Sequence, residues 1–346
     1  MDDGVAHLGS IIAAHLREWD TSPAYVELAI FESDDARIIA AAIDAFCARH
    51  LGARIAGGLF HQSSIGSVTG VVLSDGRRVV IKAHQPDSEV ALLAEIARIQ
   101  SYLAARRLFA AEVVAGPLPL GQGRAIVESY IDVGTAADAH RPEIRRALAR
   151  ALRAIVATCE PLVATTRLGP ALLASPLAAL WPRPHSLLFD FDATAAGADW
   201  IDAVARLARE QMAPAGVEVI GHGDWRQEHV RFVADEPVAA FDWDSLCRQH
   251  EPALLGSVAH GFCADWSRND RRQAPALAEA RAFVGDYETA RGSPFSASER
   301  QLCAAAFAYS CAYTARCGHA LGKDERGEAG TFAHLVWTER EDLLAM

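Results

Sequence analysis

The spacing of apolar positions divides the chain into three stretches. Up to His50 it is helical: Ile11 to Leu16 is an apolar-rich turn, and Asp34-Asp35 stand as caps before an Ala/Ile-rich run from Ala36 to His50. From Arg54 short β-branched runs take over. Val68 to Leu73 and Arg78 to Lys82 are joined by Ser-Asp-Gly-Arg, a hairpin signal of the Asp-Gly kind. A helix with Ala/Leu/Ile periodicity extends from Ser88 to Ala105. Past Pro117 and Pro119, the run Ala125 to Ile131 reads as a strand that ends in Asp132-Val-Gly134. The third stretch is dominated by helices: Pro142 to Cys159, strongly amphipathic; Asp199 to Gln211; Pro252 to Trp266; Ala274 to Thr289; Arg300 to Cys317, opened by the capping-box pattern Ser296-Ala-Ser-Glu299; and Thr331 to Leu344. An irregular, proline-bearing segment lies between Leu168 and Trp200. A small β part before a large helical part is an α+β plan, with its boundary near residue 132.

Composition narrows the class. At 346 residues the chain is longer than a single core supports, so a bilobal unit or two domains is expected. Hydrophobic residues at 51% and charged residues at 22% describe an ordinary globular protein. The formal net charge of -11 argues against a nucleic-acid surface, which needs a basic stripe. The first 20 residues lack the basic and apolar blocks of a secretion signal, and no apolar run is long enough to span a bilayer. The expectation is a cytoplasmic protein, monomer or homodimer, with no membrane partner. Seven scattered cysteines form no CxxC pair, so neither a disulfide framework nor a zinc module is expected, and Cys311, Cys317 and His319 fall in a helical pattern as buried groups. Of 33 basic side chains only Lys82 and Lys323 are lysine. A lysine kept in so arginine-biased a chain asks for a reason.

The candidate chemistry interrupts the helical part. In VIGHGDWRQEHVRFVADEPVAAFDWDSL, from Val219 to Leu246, the chain turns at Gly221 and Gly223, with His222 and Asp224 on either side of the second glycine, so Asp224 is on a loop. The runs Val230 to Val233 and Val238 to Asp242 flank Ala-Asp-Glu-Pro, which is turn chemistry between strands. The hairpin returns Asp242 beside Asp224. Phosphoryl transfer needs such a pair: one carboxylate orients or deprotonates the attacking hydroxyl, and another holds the divalent cation on the nucleotide phosphates. Asp224 suits the first role and Asp242 the second, and Arg226 could reach the transferring phosphoryl as a fixed positive charge. Upstream, the small-residue loop from His61 to Ser67, with Ser64 and Gly66, is either a phosphate cradle of backbone amides or a plain turn.

HGDWRQEH followed by FDWD resembles the catalytic loop and metal aspartate of the aminoglycoside phosphotransferase family, which has a bilobal kinase-like fold. The family pattern is His-Gly-Asp, four residues, Asn, then a hydrophobic-Asp-Trp-Asp/Glu strand end. The resemblance, which covers roughly Arg54 to the C-terminus, implies an N-lobe over residues 51–132 with a small β-sheet and one main helix and a mostly helical C-lobe over 133–346; residues 1–50 match no motif and read as a helical extension. It implies ATP or GTP with Mg2+ as cofactors, and a small-molecule hydroxyl as acceptor. Lys82, ending the run VVIK, takes the position of the nucleotide-phosphate lysine. Glu95, or Glu89, is its ion-pair partner, and backbone groups from Glu128 to Tyr130 form the hinge that meets the adenine edge. His222 belongs to the catalytic loop and braces it. Where the family has its metal-binding asparagine this chain has His229, a softer donor that admits Mn2+. Three readings are open: His229 orients Asp224 while Asp242 alone holds metal; Glu228 supplies the missing oxygen; or metal binding is lost and the protein is a nucleotide- or ligand-binding regulator. Asp244 either supports the metal shell or caps a following helix. The segment Asp190-Phe-Asp192-Ala-Thr194 also imitates the DxDxT nucleophile motif of haloacid-dehalogenase-like phosphatases, but it lacks the buried parallel strand those enzymes need.

Overall fold

The computed structural model describes residues 3–18, 24–171, 173, 179–268 and 272–345. Asn269 and part of the 168–200 segment lie outside the described residues. The chain divides into two compact units, Met1–Asp132 and Val133–Met346.

The first unit opens with helices α1 (Asp3–Glu18), α2 (Tyr25–Phe31) and α3 (Ala36–His50). Asp35 caps α3 by accepting the amide of Arg37 at 2.8 Å, which satisfies one of the orphan donors of the first turn. Next come strands β1 (Ile55–Ser63), β2 (Ser67–Leu73) and β3 (Arg78–His84), helix α4 (Val90–Ala104), and strands β4 (Val113–Leu120) and β5 (Gly123–Ser129). The five strands form one antiparallel sheet in the order β1-β2-β3-β5-β4. Two differences from the sequence reading concern this sheet. The segment from His61 to Ser63 belongs to β1, so the small-residue loop shrinks to a tight turn at Ser64–Gly66; β4 was masked by its two prolines, which an edge strand tolerates. Helices α1 and α3 share one core with the sheet, built from Leu8, Ile12, Ile39, Ile43, Val71 and Ile81 among others. Helix α1 lies so close to β1 that a Cβ on Gly4 would stand 2.4 Å from the Ile55 carbonyl oxygen; only glycine permits that approach.

The second unit contains α5 (Pro142–Cys159), α6 (Asp199–Glu210), β6 (Glu218–His222), β7 (Val230–Val233), β8 (Glu236–Ala240), β9 (Leu246–His250), α7 (Glu251–Gly261), α8 (Leu277–Arg291), α9 (Ala297–Ala320) and α10 (Phe332–Thr338). Helix α9 is its axis. Its small Ala, Ser and Cys residues are buried on nearly every side, with α7 and α6 packed against it. It starts at the expected capping box: the Glu299 amide donates to Ser296 Oγ, and the Ser296 amide donates to Glu299 Oε2 at 2.8 Å. From this helix the buried Arg316 donates to the carbonyls of Phe191 and Thr194, so the Asp190–Thr194 segment is a turn clamped to α9, and among the described residues no strand leads into it. Among the described residues, no helix is long and apolar enough to cross a membrane.

Candidate active site

In the second unit two antiparallel pairings converge. β6 pairs with β9, His222 opposite Leu246, and the β7–β8 hairpin fills the chain between them. The hairpin turns at Ala234 and Asp235, with φ of 48° and 64°, the signature of a two-residue turn whose twist matches its strands. Two tryptophans anchor the loops that carry the acids. Trp225 is 1% exposed and donates from Nε1 to the Leu148 carbonyl at 3.0 Å; Trp243 is fully buried and donates to the Ala240 carbonyl at 2.9 Å. Gln227, also buried, receives the Ala139 amide and donates to the Cys263 carbonyl.

This framework brings Asp224, His229 and Asp242 together, with one ligating atom from each inside 4.8 Å of the others. His229 Nδ1 lies 2.9 Å from the backbone oxygen of Asp224. A carbonyl only accepts, so Nδ1 carries a proton, and in the neutral ring the lone pair is on Nε2. That Nε2 faces Asp242 Oδ2 at 4.0 Å. Two donors so disposed fit a common divalent cation, and an imidazole beside a carboxylate favours manganese over magnesium, which prefers oxygen donors throughout. Asp242 has φ 60°, in the left-handed region that aspartate tolerates better than most residues, and its Oδ2 accepts from Ser245 Oγ. Asp244 stands in a single 3-10 turn that runs directly into strand β9, so it has no helix there to cap.

The electrostatics favour an ionised Asp224. Burial pushes its carboxyl up, but the Arg226 guanidinium, followed by His229, more than offsets this and holds it below the usual carboxylate range. Arg226 contacts both Asp224 oxygens and donates from Nε to Glu228 Oε2 at 2.9 Å. Glu228 in turn accepts the Trp266 amide. His222 is fully buried: Nε2 donates to the Phe241 carbonyl at 3.0 Å, and Nδ1 accepts the Asp224 amide at 3.3 Å. Burial first, then His229, pushes its pKa down to about 4, so the ring stays neutral and keeps both bonds.

The first unit holds the other residues singled out in the sequence. Lys82, on β3 and 5% exposed, has Nζ 3.8 Å from Glu128 Oε1 on the neighbouring strand β5. Glu95 of α4 is doubly bonded to Arg98, both contacts at 2.8 Å. The Ser64 amide donates across the turn to the Gly66 carbonyl, and the Tyr25 hydroxyl donates to the Ser64 carbonyl. The amides of Ser129 and Tyr130 donate to the carbonyls of Glu112 and Arg78, so both are committed to the sheet, and Arg78 stacks over the Tyr130 ring at 4.9 Å. Sequence reasoning gave Glu128 only a backbone role; the signal for its side chain was an acid inside the buried run Ala125–Ser129. It also passed over His185 and His260, pushed down by burial and within reach of the Asp224 charge.

The model of the phosphotransferase enzyme family matches residues 67–292. The chain belongs to that family. No curated protein matches it, but solved structures do. Macrolide 2'-phosphotransferase MphH from Brachybacterium faecium is similar at 17% identity, TM-score 0.51, over 84% of this chain and 97% of its own. A thermostable mutant of aminoglycoside phosphotransferase APH(4)-Ia, in ternary complex with ADP and hygromycin B, is similar at 12% identity, TM-score 0.52, over 88% and 98%. Amicoumacin kinase hAmiN, in complex with AMP-PNP, Ca2+ and Ami, is similar at 10% identity, TM-score 0.52, over 83% and 88%. At these identities the likeness establishes the fold, which is the kinase-like fold of the phosphotransferase enzyme family.

Proposed function

We propose that the protein transfers the γ-phosphoryl group of ATP or GTP to a hydroxyl of a small molecule. The observation that carries this reading is the juxtaposition of an ionised Asp224 with Asp242 and with His229, whose Nε2 faces Asp242. The family membership and the nucleotide complexes of similar structures support the same reading.

Asp224 accepts a hydrogen bond from the acceptor hydroxyl and draws its proton as the oxygen attacks the γ-phosphorus; the bond to the bridging oxygen breaks and the nucleoside diphosphate leaves. Asp242 and His229 would hold the divalent cation, Mg2+ or Mn2+, whose charge would neutralise the nucleotide phosphates. Lys82, kept in place by Glu128, supplies a fixed positive charge to the phosphates. Arg226, tethered by Glu228, keeps Asp224 ionised and offsets charge in the transition state. His222 holds the loop to the Phe241 strand end without touching substrate.

A second reading is a nucleotide-binding regulator that does not turn over, with His229 in place of the family's asparagine as the cause. A thermal-shift titration separates them. ATP and GTP are each tested with magnesium, with manganese and with chelator, followed by turnover against a panel of hydroxyl acceptors. Metal-dependent stabilisation that disappears in Asp242→Asn, with phosphate transfer to an acceptor, supports the enzyme. Stabilisation without transfer under any metal, and transfer gained by His229→Asn, supports the regulator.

A further inference from the structure

Three polar residues of the first unit occupy positions that the apolar pattern reserves for core. His15 continues the buried stripe Val5, Leu8, Ile12 of α1; Glu27 sits among Val26, Ile30 and Phe31 of α2; His61 lies on the buried face of β1. All three are buried, and one ligating atom from each lies within 4.8 Å of the others. Among the described residues Glu27 Oε1 and His61 Nε2 have no hydrogen-bond partner, and they face each other at 3.6 Å, beyond hydrogen-bond length. Leaving a buried carboxylate oxygen and a ring nitrogen unmatched costs roughly the full desolvation of each. A His-Glu contact at that distance is, however, what two ligands of one cation show: donors on a tetrahedral centre with bonds of about 2.0–2.1 Å stand roughly 3.4 Å apart.

We propose that His15, Glu27 and His61 form a structural site for a divalent transition metal of the zinc class. The surroundings fit ligand chemistry. His61 Nδ1 is bonded to Thr69 Oγ1 at 2.9 Å, directly across the β1–β2 ladder, which orients the ring and points Nε2 at Glu27. The Ser63 amide donates to His15 Nε2 at 3.1 Å, so that nitrogen is unprotonated, the form that ligates; a bound cation takes over the lone pair that now accepts from Ser63. Ser63 Oγ, 2.8 Å from the same nitrogen, stands ready as a fourth oxygen. Two imidazoles and a carboxylate are a borderline donor set that selects zinc, cobalt or manganese over magnesium or calcium. The ligands come from three elements, α1, α2 and β1, so the metal adds a cross-link between α2 and the packed pair of α1 and β1, beside the Ser64–Gly66 turn.

The test must separate this site from Asp224, His229 and Asp242, so it is run on the tag-free full chain and on the Asp242→Asn variant, both grown with zinc. Elemental analysis is expected to find about one equivalent of zinc retained in Asp242→Asn, falling at least about tenfold in Glu27→Gln and in His61→Asn. Stripping Asp242→Asn with chelator should lower Tm by at least about 5 °C, restored by Zn2+, and Co2+ should give the visible absorption of a low-symmetry nitrogen/oxygen site. If Glu27→Gln does not fold, the stripping and restoration of Asp242→Asn decide the matter. Zinc content unchanged by Glu27→Gln in the Asp242→Asn background, or an Asp242→Asn variant that retains no metal and whose Tm ignores Zn2+ and Co2+, overturns the proposal.

Discussion

Single side chains carry the sharpest consequences. Asp224→Asn keeps the shape of the loop and removes the proton acceptor; turnover is expected to drop at least about 100-fold while the nucleotide-dependent thermal shift is unchanged. Equal loss of both would instead make Asp224 part of the nucleotide site. Asp242 is better replaced by asparagine than by alanine, because asparagine also tolerates a φ near 60°. Asp242→Asn is expected to lose metal-dependent stabilisation with little change in the stability of the free protein. Asp242→Ala should be about 1 kcal/mol less stable than Asp242→Asn in urea titration; equal midpoints would mean the left-handed backbone costs nothing there.

Elements decide whether these side chains meet. The β7–β8 hairpin sets the separation of His229 from Asp242, and its turn contains an alanine at φ 48°. Ala234→Gly is expected to raise stability by about 0.5–1 kcal/mol, and a variant less stable than wild type would show that the turn is not strained. The elements also mark what could be read in advance. Helix α5 was legible to the residue because a proline opens it and arginines line one face of an apolar stripe. The capped start of α9 was equally plain, but its end was not, since a helix buried all round has no polar face to mark its limits. Strand β9, LCRQH, escaped notice because its sequence is half polar and its partner β6 lies far upstream. At the candidate site, the nearness of Asp242 to Asp224 was legible in the spacing of the β7–β8 hairpin. The pairing of Lys82 with Glu128 could not be read, since it depends on the register of β3 against β5.

On the scale of the whole molecule, acid is the condition that should unfold the protein. Burial holds His15, His185, His222 and His260 below the usual histidine range, so over that range the folded chain binds fewer protons than the unfolded one. Stability therefore rises with pH and is lost as pH falls through about 6.5 towards the folded values. His222 alone, displaced from 6.5 to about 4, would contribute on the order of 3 kcal/mol of that loss by pH 4. The depressed carboxylates Glu27, Asp224 and Glu279 act in the same direction at lower pH. Tm is expected to fall steeply between pH 7 and 5, and a flat profile would mean these imidazoles are protonated in the fold. The arginine bias of the chain has a use at this scale too. Its two lysines sit in opposite surroundings, Lys82 5% exposed in the sheet and the Lys323 side chain 56% exposed on a loop. An amine-reactive label should mark Lys323 at once and Lys82 only when the sheet opens. The ratio of the two labelled peptides over time then serves as a clock for local unfolding, with the reference residue supplied by the protein itself.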